Sequence, residues 1–339
     1  MNVNIINGVD MTISQVVTRP VQGLIADEVA APYDLMNQRE SVRRIDAAAE
    51  TLRIVNDVRA PGTPAVPIDV TVTTPVQCYP VEHARVIPVP VEAMNSNTAA
   101  FNEISTWAMQ PAKAVKVAKE KALVDMIVAS LTVSGKTLIS TAASWGTNGT
   151  PIKDLSNQIS TLNTNSGLVP NRLALSMTCA TAIMNNSEYR NLVGFGGQGS
   201  GMGLNPYQLG GFQVALAQIL NLEKVLIGAS TYNTAMQGQT PSFSNIWGSY
   251  ALLYYTEPMT GTLTANAFIQ PRWTPVNNLN MAFNGSGGLV DGWRVDYWAD
   301  NPTVSVNVRV RQYYEFLTLF GDADPQTPAT LWSNPIAAS

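Results

Sequence analysis

Charge is what this sequence has least of. Asp, Glu, Lys and Arg make up 13% of its 339 residues, about half of the ~25% usual for a globular domain. Ala, Asn, Thr, Ser and Gly stand where lysine and glutamate would normally solvate a free surface, so a solitary subunit would have a weakly protected exterior. That scarcity predicts that neighbouring subunits cover much of the surface. The formal net charge of -4 argues against a protein whose whole surface holds nucleic acid, though a local basic patch stays open.

Histidine and cysteine are nearly missing. His83 is the sole histidine, so one chain has no histidine-based zinc cluster, and any Ser-His-Asp triad would have to run through it. It sits in a proline-rich stretch that is a poor platform for catalytic geometry. The two cysteines, Cys78 and Cys179, form neither a disulfide framework nor a metal-ligand spacing. Cys78 and His83 are expected to be packing or edge residues, and a reducing compartment is the simple expectation. The opening MNVNIINGVD lacks the basic start and apolar core of a secretory signal. No apolar run approaches the ~20 residues needed to cross a bilayer. The expectation is a soluble protein, made and used inside a cell, with no membrane partner.

What is present changes character along the chain. Residues 1 to about 50 are irregular, with a mixed-charge, helix-compatible stretch through Arg39, Arg43, Arg44, Asp46 and Glu50. An arm this poor in apolar residues is expected to be ordered by lying on something else, another subunit included. From Leu52 to about Glu92 the chain reads as extended. Prolines at 61, 64, 67, 75, 80, 88 and 90 suit an edge excursion, not a central strand. Ile104, Trp107, Pro111, Val115, Ala118, Ala122 and Met126 then recur at helical spacing, with Pro111 expected to open the main helix. Thr150-Pro151 announces a second helix, with Ile152, Leu155, Ile159 and Leu162 as its apolar face and Ser166-Gly167 as its end. An alternating strand (Leu173, Leu175, Met177), a helix capped by Thr178, a helix over FQVALAQILN and a buried strand KVLIGAS follow. Near the end, Val304, Val306, Val308 and Val310 alternate with Ser305, Asn307, Arg309 and Arg311, a strand pattern. The sum is α+β: a compact αβ middle, a long helix and an antiparallel strand system.

Three motifs invite a chemical reading and fail it. Gly194, Gly196 and Gly199 in GFGGQGSGMG spell G-x-G-x-x-G, but a dinucleotide fingerprint needs a strand before it and a helix after it. AIMNNSEYRNLV, helix-like, stands in front, so the stretch reads as a surface loop. SGKT, Ser134 to Thr137, ends like a Walker A loop, yet Ser130 occupies the place of the first glycine and a helix precedes it. Lys136 is therefore a solvated charge near a helix end. Asp322 and Asp324 lie beside Pro325 in a turn-like stretch. No catalytic, cofactor or metal site is expected, and the chain is not read as an enzyme.

The order of elements resembles the major capsid proteins of tailed bacteriophages, which have the Hong Kong 97-like fold. SWGTNGTPIKDL (144–155), GLVPNRLALSMTCATAIMNNSEYRNL (167–192), LAQILNLEKVLIGASTYNTA (216–235) and Asn-Ile-Trp-Gly at 245–248 carry the similarity, which spans nearly the whole chain. It implies an N-arm (1–51), an extended E-loop hairpin (52–95), a P-domain with a long spine helix (96–164), an A-domain (165–270), and P-domain strands with a C-terminal tail (271–339). It also implies self-assembly into hexamers and pentamers of an icosahedral phage head enclosing the DNA genome. An encapsulin-like compartment shell is the alternative within the same fold. Expected partners are further copies of the chain, a separate scaffolding protein, a portal, a decoration protein and packaged double-stranded DNA held without specificity. The expected location is the virion, assembled in the host cytoplasm. Arg43, Arg44, Glu82, Arg85, Arg309 and Arg311 are the expected polar contacts between subunits. Some relatives cross-link an E-loop lysine to a neighbour's asparagine. Residues 1–112 contain no lysine, so the shell is expected to be non-covalent.

Overall fold

The computed structural model describes residues 23–44, 75–90, 99–133, 135, 137–139, 145, 149–196, 208–236, 238–259, 261–273, 286–290, 293–300, 305–320 and 327–333. A short helix α1 (Ala26–Val29) leads into strands β1 (Ala31–Leu35) and β2 (Glu40–Arg44). β3 (Val76–Cys78) and β4 (Val81–Pro90) precede the long helix α2 (Ala99–Val133), and β5 (Thr137–Ile139) follows it. An αβ block comes next: α3 (Pro151–Ser166), β6 (Arg172–Ser176), α4 (Met177–Asn185), α5 (Ser187–Gly196), α6 (Leu209–Ile219) and β7 (Lys224–Gly228). A ribbon of β8 (Thr231–Asn233) and β9 (Phe243–Asn245) leads to β10 (Tyr250–Tyr254), β11 (Leu263–Thr264) and β12 (Phe268–Trp273). β13 (Ser286–Val290), β14 (Trp293–Asp300), β15 (Ser305–Tyr314), β16 (Leu317–Thr318) and β17 (Ala329–Ser333) complete the order.

One sheet, ordered β5-β17-β10-β6-β7, is the middle layer of the molecule. Leu173, Leu175, Val225, Ile227, Ala251, Leu253 and Trp332 face α3 to α6 on one side. Ala174, Leu226, Leu252, Tyr254 and Leu331 face α2 on the other. Burial on both faces explains why KVLIG is an unbroken apolar run. It also corrects the alternation expected through Leu173, Leu175 and Met177: Leu173, Ala174 and Leu175 are all buried, and Met177 already begins α4. Ser176, not Thr178, caps that helix, its hydroxyl accepting from Cys179 N. β17 comes from the C-terminal end, with which residues 271–339 are grouped above, yet it lies between β5 and β10.

The second large sheet runs β1-β12-β15-β14-β13, with β16 on β12 and β4 beside β15. β4 and β15 pair antiparallel along ten residues, Val81 opposite Tyr314 through Pro90 opposite Ser305. Among the described residues β4 pairs only with β15, the edge position expected for a strand holding Pro88 and Pro90. Residues 45–74, most of the predicted excursion, lie outside the described residues. The mixed-charge stretch read as helix-compatible is strand β2 from Glu40 to Arg44, paired with β3 and β11. β2 is held by its own chain, and so is α1, whose Ala26 and Val29 enter the core. Residues 1–22 lie outside the description.

Helix α2 joins the two sheets. At 35 residues it extends about 52 Å at about 1.5 Å per residue. Pro111 sits inside it, not at its first position, and removes one backbone hydrogen bond there. The predicted stripe holds at Pro111 and Val115, which are buried, and beyond them is displaced by one place. Ala118 and Ala122 are exposed, and the buried line runs Val115, Lys119, Leu123, Ile127, Leu131. Two charged residues, Lys119 and Glu120, occupy the buried face. By contrast α3 follows its sequence signals: Pro151 is in the first turn, Ile152, Leu155 and Leu162 are buried, and Gly167 ends the helix at φ 68.

Candidate functional site

The buried charges on α2 form the first site. Glu120 is fully buried, and N–H donors satisfy its carboxylate. Its Oε1 accepts from Trp247 Nε1 at 2.6 Å and from Ile25 N at 3.1 Å. Its Oε2 accepts from Ala26 N at 2.6 Å and again from Ile25 N. The carboxylate thus satisfies the open N–H groups at the start of α1 and pins both that segment and the loop before β10 to the spine helix. Burial pushes its pKa up, opposed by the hydrogen bonds from Trp247, Ile25 and Ala26. Beside it, Lys119 reaches Asp27 and lies 5.2 Å above the Tyr314 ring. With the Gln270 amide oriented to satisfy both neighbours, its oxygen accepts from Lys119 at 2.6 Å and its nitrogen donates to Asp27 at 3.0 Å. Burial lowers the Lys119 pKa, opposed by Asp27.

The second site is on the opposite face of the β4–β15–β14 sheet from α2. Residues directly opposite in an antiparallel pair share a face. The register Asp296 opposite Arg309, Arg294 opposite Arg311 and Tyr313 opposite Glu82 therefore gathers one polar cluster. Arg294 Nε donates to Asp296 Oδ1 at 2.9 Å, Arg309 Nη2 to Oδ2 at 2.9 Å and Arg311 Nη2 to Oδ1 at 3.2 Å, while Arg311 Nε lies 2.9 Å from Oδ2 as an ion-pair contact without hydrogen-bond alignment. Arg311 also reaches Glu82 at 3.2 Å, and Tyr313 donates its hydroxyl proton to the same carboxylate at 2.5 Å. Arg309 lies 5.6 Å from the Trp298 ring. Three guanidiniums and two carboxylates leave one excess positive charge in this cluster.

Of the six residues expected at subunit contacts, Glu82, Arg309 and Arg311 are thus brought together and engaged within their own chain. Arg85 is exposed on β4, on the face shared with Val310. Arg43 is exposed on β2, its backbone N–H bonded to Thr262 O at 2.8 Å. Arg44 pairs with Thr264 in the parallel β2–β11 ladder. Sequence reasoning missed Glu120 and Asp296. The available signal for Glu120 was its place, with Lys119, between apolar residues at helical spacing. Asp296 carried none, because two of its three arginine partners come from the adjacent strand and only the register between strands brings them to it.

His83, Cys78 and Cys179 pack against their own chain. His83 stacks on Tyr314 with centroids 4.1 Å apart, and burial lowers its pKa. Burial, reinforced by Glu315 and Glu40, pushes the Cys78 thiol up to about 12, and burial alone raises Cys179 to about 11, so neither is a thiolate at neutral pH. Gly194 and Gly196 end helix α5, so a helix and not a strand precedes the glycine motif, as its dismissal required. Gly199, Lys136, Asp322 and Asp324 lie outside the described residues. Among the described residues no cluster of His, Cys, Asp and Glu could hold a metal ion, and no helix is long and apolar enough to cross a membrane.

No protein-family model and no curated protein matches the chain. Solved structures do match, from end to end. A phage-related protein from Bordetella bronchiseptica RB50 is similar with a TM-score of 0.65 at 13% identity, covering 97% of this chain and 98% of that one. A structure from Microbacterium phage Oxtober96 gives 0.53 at 12% identity, over 93% of this chain and 92% of the other. A virus-like particle from Pyrococcus furiosus gives 0.51 at 10% identity, over 96% and 98%. At such identities the likeness is one of fold. The chain has a mixed helix-and-sheet fold like that of the phage-related protein and the virus-like particle.

Proposed function

We propose that the chain is a structural shell subunit, the major capsid protein of a tailed phage, which closes hexamers and pentamers into an icosahedral head around double-stranded DNA. The observation that carries this reading is the end-to-end likeness to a phage-related protein. The low charge content supports it, since neutral surface is what repeated subunit contacts bury. On this reading residues 1–51 are the N-arm, 52–95 the E-loop, 96–164 and the strands after 271 the P-domain, and 165–270 the A-domain, with β17 returning to the A-domain sheet. Assembly is heterologous contact closed by symmetry, and no catalytic step is involved. Arg43, Arg44 and Arg85 contact neighbours directly, while Glu82, Arg309 and Arg311 shape the strand face that neighbours meet. A separate scaffolding protein, a portal and a decoration protein complete the particle, which is assembled in the host cytoplasm.

An encapsulin-like compartment shell is the second reading, favoured by the likeness to a virus-like particle. The genomic neighbourhood separates the two: portal and packaging genes for the first, a cargo enzyme for the second. Negative-stain electron microscopy of the protein, expressed alone and with its genomic neighbours, tests the shell itself. Closed shells, tubes or rings of five or six subunits are expected. A monodisperse monomer under every condition overturns the reading. Boiling in detergent is expected to give one band near 36.5 kDa, and a ladder of larger bands refutes the non-covalent shell. Charge reversal of Arg43 and Arg44 is expected to impair assembly, and intact assembly removes them from the contact.

A further inference from the structure

The β8–β9 ribbon packs on the core through Tyr232, with Lys121 5.7 Å from that ring, while its far end is exposed. Among the described residues it pairs with no third strand. Phe243 is 69% exposed and Met236 77%, and no charged residue occurs between Lys224 and Glu257. Free strand edges are normally guarded by charge, lysine above all, because unpaired backbone groups and apolar side chains invite association. Pro241 apart, this ribbon carries no such guard.

The ribbon is nevertheless held rigid. At its root, Ile246 N donates to Ser230 O at 3.0 Å, and Trp247 is fixed to Glu120. Trp247 also packs so closely on Gly228 that a Cβ there would lie 2.1 Å from its ring. Toward the tip, Asn233 Oδ1 accepts from Ala235 N and Ser242 N, both at 3.0 Å, and Thr234 N donates to Ser242 O at 2.7 Å. Gly238, at φ +86, supplies the left-handed turn. A projection organised in advance loses little conformational entropy when it docks.

We propose that this ribbon is a docking peg whose tip, Met236 and Phe243, is buried against a second copy of the chain. The inference rests on the shell reading above and names one of its contacts. A second copy is the occupant because the shell reading surrounds each subunit with further copies, and uncharged helical surface of the chain is the candidate seat. No charge occurs between Arg190 and Glu223, and within that stretch Leu192 on α5 and Leu209 and Val214 on α6 are 47%, 37% and 37% exposed. Peg and seat are different elements, so their engagement is head-to-tail, the kind of contact that closes rings.

Maleimide labelling of a full-length Met236→Cys variant, in assembled particles and in dissociated subunits, tests this. Native Cys78 and Cys179 are fully buried, so the added thiol dominates the signal. Labelling is expected to be roughly tenfold slower in particles, since a thiol reacts only where reagent reaches it. Equal labelling in both states overturns the peg and leaves the shell reading standing. Protection that appears only with a co-expressed foreign protein also overturns it. Absence of any assembly by the unmodified chain overturns the shell reading and the peg with it. As a second variant, Phe243→Asp is expected to keep the melting temperature of the free subunit and lose assembly. Unimpaired assembly of that variant counts against the peg.

Discussion

Glu120 and Asp296 are both carboxylates withdrawn from water, and they are held by opposite chemistries. Glu120 makes no salt bridge among the described residues and is satisfied by backbone and indole N–H groups drawn from two segments far away in sequence. Asp296 is surrounded by three guanidiniums from its own and the adjacent strand. The first is a joint: it fixes α1 and the root of the ribbon to the spine helix. The second is a local brace, near enough to solvent that Arg309 remains one-third exposed. A buried acceptor with several donors is costly to remove because every donor is orphaned together. A shared ion cluster loses less, since its members keep other partners or water.

Glu120→Ala is the most severe test of that contrast. It leaves three donors unsatisfied in the core, and a loss of about 4 kcal/mol is expected in urea unfolding, at ~1–3 kcal/mol per orphaned group. Gly228→Ala attacks the same joint through packing, because its methyl cannot coexist with Trp247. A loss of about 2–3 kcal/mol, with altered near-ultraviolet circular dichroism from the displaced indole, is the expected outcome. Asp296→Asn, which keeps the shape and removes the charge, is expected to cost about 1–2 kcal/mol. A loss as large as that of Glu120→Ala would erase the distinction between joint and brace.

The pH dependence sharpens the comparison further. Burial raises the Glu120 pKa, so the folded state binds that proton more tightly than the unfolded chain does. Its contribution is fully present below the unfolded value of ~4.3 and is lost as pH rises through the raised folded value. Wild type is expected to lose stability across that window relative to Glu120→Gln, which does not titrate. Parallel curves from urea midpoints at stepped pH would contradict this. The smallest effect is expected of Arg309→Ala, below about 0.5 kcal/mol, as for other partly exposed ion pairs.

Legibility followed the range of the determining contacts. Helix α3 was readable because its first-turn proline, apolar face and terminal glycine all act within the helix. Even there the first turn draws on a residue distant in sequence. The Thr150 side chain makes no capping bond to the backbone, and Glu188 instead accepts from Ile152 N at 2.9 Å and Lys153 N at 3.2 Å. Helix α2 was readable as a helix but not in its bounds or facing. A stripe counted on apolar residues cannot include Lys119 and Glu120, whose burial depends on Asp27, Ile25, Ala26 and Trp247. The β15 alternation was legible, and for the described side chains it holds, with Val308 and Val310 buried and Arg309 and Arg311 on the other face. That the two arginines converge on Asp296 was not legible, because register between strands is set by the sheet.

The sequence by itself determined the mixed helix-and-sheet class, the helical and extended character of its main segments, and the scarcity of charge that points to covered surface. Periodicity, proline placement and composition act over a few residues or over the whole chain at once, so they survive without coordinates. Tertiary structure decided which face of the spine helix is inside, where the C-terminal strand inserts, and which charges are joints and which are braces. Those outcomes depend on desolvation, and whether a charge tolerates burial is settled by donors and acceptors that only folding brings within about 3 Å of it.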